Sequence, residues 1–234
     1  MRKMALVLFL LAVFSLKTSA QGICCQNLSA DELMTEVVAK AKENDELKQK
    51  HLAFEETYLM EEFNFAGQKR SGEHSNKSIT GERKQFAQFK MGIGDLLQIL
   101  VARHQFSFAD PEQVILNGRV CTVVEFRPKE GLTDITNEDR FINRLRGKLW
   151  IDAQNHALWL VEANIPEEDE FNFKVWRLFF FATINVKNFE LEFQQTEYMG
   201  IMVENQIRVR AKFIVLSATR TRKYDYQYKN YRYR

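Results

Sequence analysis

Helical spacing of apolar residues near the start of the chain gives way to alternation over most of the rest. Ser29 and Glu32 have the spacing of a capping box, and apolar residues follow at every fourth position among charged ones. This pattern predicts an amphipathic helix over Ala30 to Lys50. Its apolar stripe is narrow, so the helix is expected to lie across a sheet.

Alternating apolar and polar residues predict half-buried strands in the remainder of the chain. The alternation is clearest over residues 189–194 and 207–213, and residues 52–60 show it as well. Residues 67–78 are rich in Gly, Ser, Lys and Glu and predict a loop, whereas residues 96–100 have helical spacing. So many half-buried strands with so few helices predict an α+β fold whose sheet curls upon itself or closes into a barrel.

Two hairpins are predicted in the middle of the chain. Asn117-Gly118 lies between two apolar runs and accepts the positive φ angles of a tight two-residue turn. Downstream, residues 149–152 and 158–162 predict a second antiparallel pair around the polar corner Gln154-Asn155-His156.

Phrases in and after these hairpins resemble the LolA-like outer-membrane lipoprotein-sorting proteins, in particular an uncharacterised bacterial branch. The similarity in layout covers the mature chain, but motif-level similarity is confined to this stretch. Relatives often carry a Trp-Leu-Pro phrase where this chain reads Met199-Gly200-Ile201-Met202-Val203. The matching phrases are Asn117-Gly118-Arg119, Val124-Glu125-Phe126-Arg127-Pro128-Lys129, Asn143-Arg144-Leu145-Arg146-Gly147-Lys148-Leu149-Trp150-Ile151-Asp152 and Leu160-Val161-Glu162-Ala163.

The resemblance implies a strongly curved antiparallel sheet, an incomplete β-barrel, with helices capping an apolar cavity that receives acyl chains. Each methylene that such a carrier buries contributes about 0.8 kcal/mol. The 19 Phe, 3 Trp and 7 Tyr of the chain suit a cavity wall, although single aromatic residues more often pack a core. The predicted cavity residues are Phe126, Leu149, Ile151, Leu158, Leu160, Phe171, Phe173, Phe179, Phe181, Phe189, Leu191 and Phe193.

A second helical segment, Thr136 to Arg146, is a candidate lid beside the N-terminal helix. Its candidate lid residues are Arg140, Phe141, Arg144 and Leu145. The guanidinium groups suit carbonyl, carboxylate and phosphate acceptors, so the arginines could bind the lid backbone or a ligand head group. The alternative is that they are solvated surface charges.

The N-terminus predicts export to the periplasm. Arg2 and Lys3, an apolar run up to Leu16 and the small residues Thr18-Ser19-Ala20 are typical of a signal peptide cleaved after Ala20. No linker divides residues 21–234, which are interpreted as a single LolA-like carrier domain. After cleavage, 30 basic side chains face 31 acidic ones, a net charge of about −1 that gives no general affinity for nucleic acid.

Export also predicts an oxidising compartment for the three cysteines. Adjacent Cys24 and Cys25 can pair with each other only through a strained ring, so one of them could bridge to Cys121. The alternative is a buried Cys121 and two free thiols on an N-terminal arm.

The sequence does not predict an enzyme, a cofactor or a metal site. Its four histidines lack zinc-type spacing, and no Gly-x-Ser-x-Gly elbow is present. The acidic run Glu167-Glu168-Asp169-Glu170 lacks the alternating oxygen ligands of a calcium loop and is interpreted as a solvated loop.

Basic and aromatic residues are interleaved at the C-terminus. From Ile207 onward, nine basic residues accompany the single acidic residue Asp225, and five tyrosines lie among the last of them. The pattern is interpreted first as a charged terminal edge strand. Its second interpretation is a lipid or membrane surface, and its third is binding of single-stranded nucleic acid.

These features predict a non-enzymatic periplasmic carrier for the acyl chains of a lipoprotein or another envelope lipid. The expected partners are this cargo and inner- and outer-membrane donor and acceptor proteins, with the carrier as a monomer. One alternative is a small outer-membrane β-barrel, which the N-terminal helix and the terminal Arg234 disfavour. The other is a secreted scaffold protein with a packed core.

Overall fold

The computed structural model describes residues 28–80, 92–177 and 180–234. Three α-helices are present in this part of the chain: α1 (Ala30–His51), α2 (Ile93–Arg103) and α3 (Asn137–Ile142). A single turn of 3₁₀ helix covers Glu167–Asp169. The strands are β1 (Leu52–Asn64), β2 (Lys69–Thr80), β3 (His104–Leu116), β4 (Arg119–Pro128), β5 (Arg146–Asp152), β6 (Leu158–Ile165), β7 (Phe171–Arg177), β8 (Phe180–Tyr198), β9 (Ile201–Val215) and β10 (Ala218–Tyr233).

All ten strands belong to one antiparallel sheet in the order β2-β1-β10-β9-β8-β6-β5-β4-β3, with β7 pairing to β8. Strand β8 is long enough to pair with β6 at Phe189 and with β7 at Val186 along the same edge. The predicted α+β fold with a curled antiparallel sheet is confirmed. Within the described residues the sheet has the shape of a half-barrel whose edge strands β2 and β3 do not meet, so it is not closed into a barrel.

The predicted N-terminal helix is confirmed, with one more residue at its end. The Ser29 hydroxyl accepts a hydrogen bond from the Glu32 amide, and the Glu32 carboxylate accepts one from the Ser29 amide at 2.8 Å. Three turns of the helix bury Leu33, Val37 and Ala41. The predicted apolar stripe is therefore the surface that packs on the sheet.

Tight turns join most neighbouring strands. The predicted hairpin at Asn117-Gly118 is confirmed, with φ angles of 50° and 80°. Met199-Gly200 and Leu216-Ser217 also have two successive positive φ angles and connect β8 to β9 and β9 to β10. The second predicted hairpin is confirmed as β5 and β6, which pair from Arg146 to Ile151.

Three sequence predictions are corrected by the fold. Residues 67–78 are not a loop, because β2 pairs with β1 over almost its whole length; as an edge strand with both faces largely exposed, it has no apolar alternation to reveal it. The C-terminal strand is not an edge, because β10 lies between β1 and β9. The helix predicted over Thr136 to Arg146 ends at Ile142; a turn follows, and Arg146 is the first residue of β5.

Directly opposite residues on neighbouring strands share a face of the sheet, so the register assigns each side chain to one of two faces. We call the face that packs against α1 the inner face. One of its rows crosses seven strands through Tyr58, Tyr226, Ile207, Phe193, Val161, Leu149 and Val124. The next row runs parallel to it through Met60, Tyr224, Val209, Leu191, Ala163, Gly147 and Phe126.

Candidate functional site

The inner face divides into two parts that differ in how far the helices cover them. In the first part, which we call the closed half, α1 and α2 pack directly on the sheet. Leu33 and Val37 of α1 are fully buried there, as are Leu149 of β5 and Phe193 of β8. Such close packing leaves these side chains in a filled core.

An ion pair fastens α1 over the closed half. Lys48 Nζ lies 2.5 Å from Glu204 Oε1 on β9 and 3.0 Å from Asp45 Oδ1. Burial of the Lys48 ammonium disfavours its charged form, but the two carboxylates outweigh this effect and hold its pKa above the ordinary value. Burial raises the pKa of the Glu204 carboxyl, whose Oε2 has no hydrogen-bond partner among the described atoms.

Asp45, one of the two carboxylates that bind Lys48, also joins α1 to α2. Gly92 caps α2 without a side-chain hydrogen bond, and the Gly94 amide donates instead to Asp45 Oδ2 at 3.0 Å. A carboxylate at the N-terminus of a helix satisfies an amide that has no intrahelical acceptor. Asp45 thus supplies from α1 the cap that α2 lacks.

His104 is buried where α2 meets β5. Its Nδ1 lies 3.2 Å from the Leu100 carbonyl and its Nε2 lies 2.8 Å from the Leu145 carbonyl. Burial lowers the pKa of His104, although both backbone contacts oppose the shift. The ring therefore favours its neutral form, which can donate to only one of the two carbonyls.

The candidate lid, α3, packs beside β7 and β8. Phe141 contacts the Phe189 ring edge-on, with centroids 4.7 Å apart, and Arg144 lies 5.4 Å from the Phe171 centroid. Arg140 donates to the Asn172 carbonyl at 3.0 Å, and Arg144 donates to the Arg140 carbonyl at 2.8 Å. Both lid arginines thus bind backbone carbonyls, and buried Leu145 anchors the following turn.

Beyond the closed half, the inner face continues toward the β9–β10 turn with side chains that are only half-buried. We call this part the open half. The ring of Tyr58 lies beside that of Tyr226, with centroids 4.9 Å apart, and 6.5 Å from that of Tyr224. The half-buried residues of the open half are Tyr58, Met60, Phe189, Leu191, Val209, Tyr224 and Tyr226.

Charged side chains end the apolar surface of the open half. Register places Glu62 opposite Arg222, with Ala211 and Phe189 in the same row, and it places Arg220 opposite Phe213 in the row beyond. Arg222 Nε lies 2.7 Å from Glu62 Oε2, and Arg220 Nε lies 3.8 Å from Glu62 Oε1. An apolar surface that ends in guanidinium groups suits an amphiphile better than a purely apolar ligand.

The outer face carries a small apolar cluster of its own. Cys121 is fully buried against Trp159 and Met202, and the Arg119 guanidinium lies 4.8 Å from the centre of the Trp159 ring. Burial raises the pKa of the Cys121 thiol to about 11, so the thiol is unreactive at neutral pH. Cys24 and Cys25 lie outside the described residues, and the pairing of Cys121 with one of them stays a prediction.

An open depression of about 660 Å³ also follows the sheet. Its lining includes four basic and five acidic side chains, which come mainly from two outer-face rows. Many of these side chains form ion pairs across the strands, such as Arg208 with Glu192 at 3.2 Å. The balance of charge gives the depression no preference for an anionic or a cationic ligand.

The structure distributes the predicted cavity residues over several environments. Phe189 and Leu191 belong to the open half. A bulge between Trp150 and Ile151 in the β5–β6 register places Leu160 opposite Trp150 on the outer face. Phe179 and the side chains of Phe173 and Phe181 lie outside the described residues. The residues buried in the core are Phe126, Leu149, Ile151, Leu158, Phe171 and Phe193.

Of the open half, the sequence predicted only Phe189 and Leu191 as cavity residues. Met60 and Val209 lie on strand faces that alternation predicted. Tyr224, Arg220 and Arg222 belong to the interleaved C-terminal segment, whose second interpretation was a lipid or membrane surface. Alternation in β9 and β10 signals which residues share a face, but only the register reveals which face is the inner one.

Among the described residues, no group of three or more His, Cys, Asp and Glu side chains is arranged to hold a metal ion. None of the described helices has both the length and the apolar composition needed to cross a membrane. The charged run after Pro166, interpreted as solvated, is paired to the sheet, for example by Glu167 with Lys212 at 2.7 Å.

Comparisons with known proteins give only remote similarity. No family model and no curated protein matches the chain. A DUF1329 family protein from Desulfovibrio piger aligns at a TM-score of 0.36 and 11% identity, covering 86% of this chain and 92% of that one. MucB in complex with MucA(peri) aligns at a TM-score of 0.30 and 8% identity, covering 84% and 94%. Similarity at this level assigns neither family nor function, and the LolA-like resemblance stays a prediction from sequence.

Proposed function

We propose that this protein is a non-enzymatic, exported carrier that binds the acyl chain of an amphiphile on the open half of its inner face. The observation that supports the proposal is the contrast in burial along single strands. On β8, Phe193 is fully buried whereas Leu191, two residues away on the same face, is half-buried. An apolar surface continuous with a core but left open to solvent is typical of a binding surface.

The size of the open half suits a flexible chain. Tyr226 lies six positions after Arg220 on β10, which corresponds to about 20 Å along the strand. An acyl chain lying on this surface would gain about 0.8 kcal/mol for each methylene that leaves water. Loss of translational freedom and ordering of the chain offset part of this gain, so micromolar binding is the expected order of magnitude.

The lid and the predicted transfer partners belong to the same proposal. Because Phe141 contacts Phe189 at the border of the open half, movement of α3 would change the apolar surface that a chain can reach. A lipoprotein is one cargo of this chemical type. Donor and acceptor proteins in the two membranes are the partners that such a carrier would need.

Neighbouring residues on β1 provide a direct test. Met60 points to the inner face and Leu59, which is 37% exposed, to the outer face. We expect Met60→Ser to weaken binding of a neutral fluorescent acyl probe roughly tenfold, since about 1.5 kcal/mol of apolar contact is lost. Leu59→Ser should leave binding unchanged.

Two results of this probe titration would contradict the proposal. A wild-type protein that does not bind the probe in the absence of detergent would support the scaffold alternative. Equal weakening by both substitutions would place the binding surface elsewhere.

A further inference from the structure

The inner face of β10 carries two arginines at the end of the open half. Arg220 and Arg222 are two residues apart and share the face of Tyr224 and Tyr226. The outer-face arginines of β9 belong to a ladder of alternating charges, but this pair adjoins Phe213 and the apolar rows. We refer to Arg220 and Arg222 as the arginine pair.

The two guanidinium groups compete for one carboxylate. Glu62 is close to Arg222, at 2.7 Å, while its contact with Arg220 is a loose one of 3.8 Å. The Glu62 side chain is 16% exposed, so solvent screens its charge poorly. Its carboxylate already forms an ion pair with Arg222. Among the described residues, this cluster contains two cations and one anion, so one positive charge has no close partner there.

Arg220 is the less satisfied member of the arginine pair. Its side chain is only 23% exposed, and within the described residues its one ion contact is the loose one with Glu62. A guanidinium carries five N–H donors, and donors withdrawn from water without acceptors carry a free-energy cost. The geometry thus leaves donors at the end of the open half that an anionic ligand would satisfy.

Neighbouring groups reinforce the arrangement. Arg222 lies 5.3 Å from the Phe213 ring centroid, which holds its guanidinium against the sheet. Glu73 of β2 shares this side of the sheet, opposite Met60, but it is exposed. Solvent therefore screens its charge.

We propose that the arginine pair binds the anionic head group, a carboxylate or a phosphate monoester, of the amphiphile whose chain lies on the open half. This inference rests on the proposed function and adds the chemical class of the ligand. Arginine binds both groups through paired N–H donors, and its bond to an anion is about twice as strong as a neutral hydrogen bond. Arg220 supplies the free donors, and Arg222 bridges the head group to Glu62.

Competition with three ligands of equal chain length tests the inference. Dodecanoic acid, dodecyl phosphate and dodecanol would each displace a neutral fluorescent acyl probe from the full chain. We expect both anions to displace the probe at least tenfold better than dodecanol. Arg220→Gln should abolish this advantage, so that the two anions displace the probe no better than dodecanol does.

Two variants separate a binding role from a structural one. Glu62→Gln removes the competing carboxylate, so it should tighten binding of the anionic ligands, whereas a merely structural ion pair predicts no gain. Arg210→Gln is the matched control, because Arg210 makes a similarly loose contact of 3.7 Å with Glu190 on the outer face; it should change none of the three affinities.

The outcomes distinguish this inference from the proposed function. Binding of dodecanol and the probe without any advantage for the anions would overturn the head-group site and leave the carrier intact. Failure of all ligands to bind the wild type would overturn both. An advantage for dodecyl phosphate over dodecanoic acid, lost in Arg220→Gln, would assign the head group as a phosphate, and the reverse would assign it as a carboxylate.

Discussion

The closed and open halves of the inner face use the same strands and the same alternation, but they differ in what covers them. Leu149 and Phe193 are fully buried beneath the helices, whereas Met60, Leu191 and Val209 are half-buried. The helices therefore decide which part of the sheet becomes core. The half-buried apolar residues form the surface that we propose for the ligand.

Removing the ion pair between α1 and β9 should have the largest effect on stability, because this ion pair holds α1 on the closed half. Lys48→Ala leaves Glu204 buried without its partner, and we expect the free energy of unfolding to fall by about 3–5 kcal/mol. Urea denaturation measures the loss. The double substitution Lys48→Met with Glu204→Gln should recover most of it, and a loss below about 1 kcal/mol in Lys48→Ala would mean that α1 is held by apolar packing alone.

A matched pair of leucines measures the contrast between the halves directly. Leu149→Ala creates a cavity in the closed half and should cost about 2–5 kcal/mol. Leu191→Ala removes a side chain that is half-exposed already and should cost about 1 kcal/mol or less. Equal losses in chemical denaturation would show that the two halves are equally packed.

The buried histidine at the edge of the closed half predicts a smaller, pH-dependent effect. Because burial lowers the pKa of His104 in the folded state, the unfolded chain binds the proton first as pH falls below about 6.5. Folding stability contributed by this ring is thus present above that pH and is lost progressively as the pH falls below it. Urea midpoints across this range should fall less steeply for His104→Gln than for the wild type.

The exposed His74 on β2 supplies the control for this titration. His74→Gln should keep the wild-type pH dependence. An unchanged slope in His104→Gln would show that the acid sensitivity comes from other groups.

Turns at the two ends of the sheet give the smallest expected effect. Asn117-Gly118 has the composition that two positive φ angles favour, whereas Leu216, at φ 47° and 87% exposed, does not. Leu216→Asn should therefore stabilise the protein by about 0.5–1 kcal/mol, and Asn117→Leu should destabilise it by a similar amount. Thermal unfolding of both variants checks the opposite signs, and a loss of stability in Leu216→Asn would assign Leu216 a packing role.

Local sequence signals were sufficient to predict the helix and the hairpins in which they occur. The capping box at Ser29 and Glu32 located α1, and Asn117-Gly118 located a hairpin. Strand β2 was missed because an exposed edge strand needs no alternation, and β10 was taken for an edge because pairing with β1 joins residues more than 150 positions apart. Local patterns contain no information on such partners.

The candidate site was less predictable than the fold for the same reason. Alternation groups Arg220 and Arg222 with Tyr224 and Tyr226, but it does not reveal that this face of β10 is the inner one. Exposed basic residues are common at strand ends. Only the register, which sets Arg222 opposite Glu62 and Tyr226 opposite Ile207, places these side chains on the inner face.

Photocrosslinking with a photoreactive acyl analogue, followed by peptide mapping, tests the central claim most directly. We expect labels on the inner-face residues of the open half, namely Tyr58 and Met60 of β1, Phe189 and Leu191 of β8, Val209 of β9, and Tyr224 and Tyr226 of β10. Labels concentrated on α1 and the core strand β5, or spread evenly over the outer face, would contradict that claim.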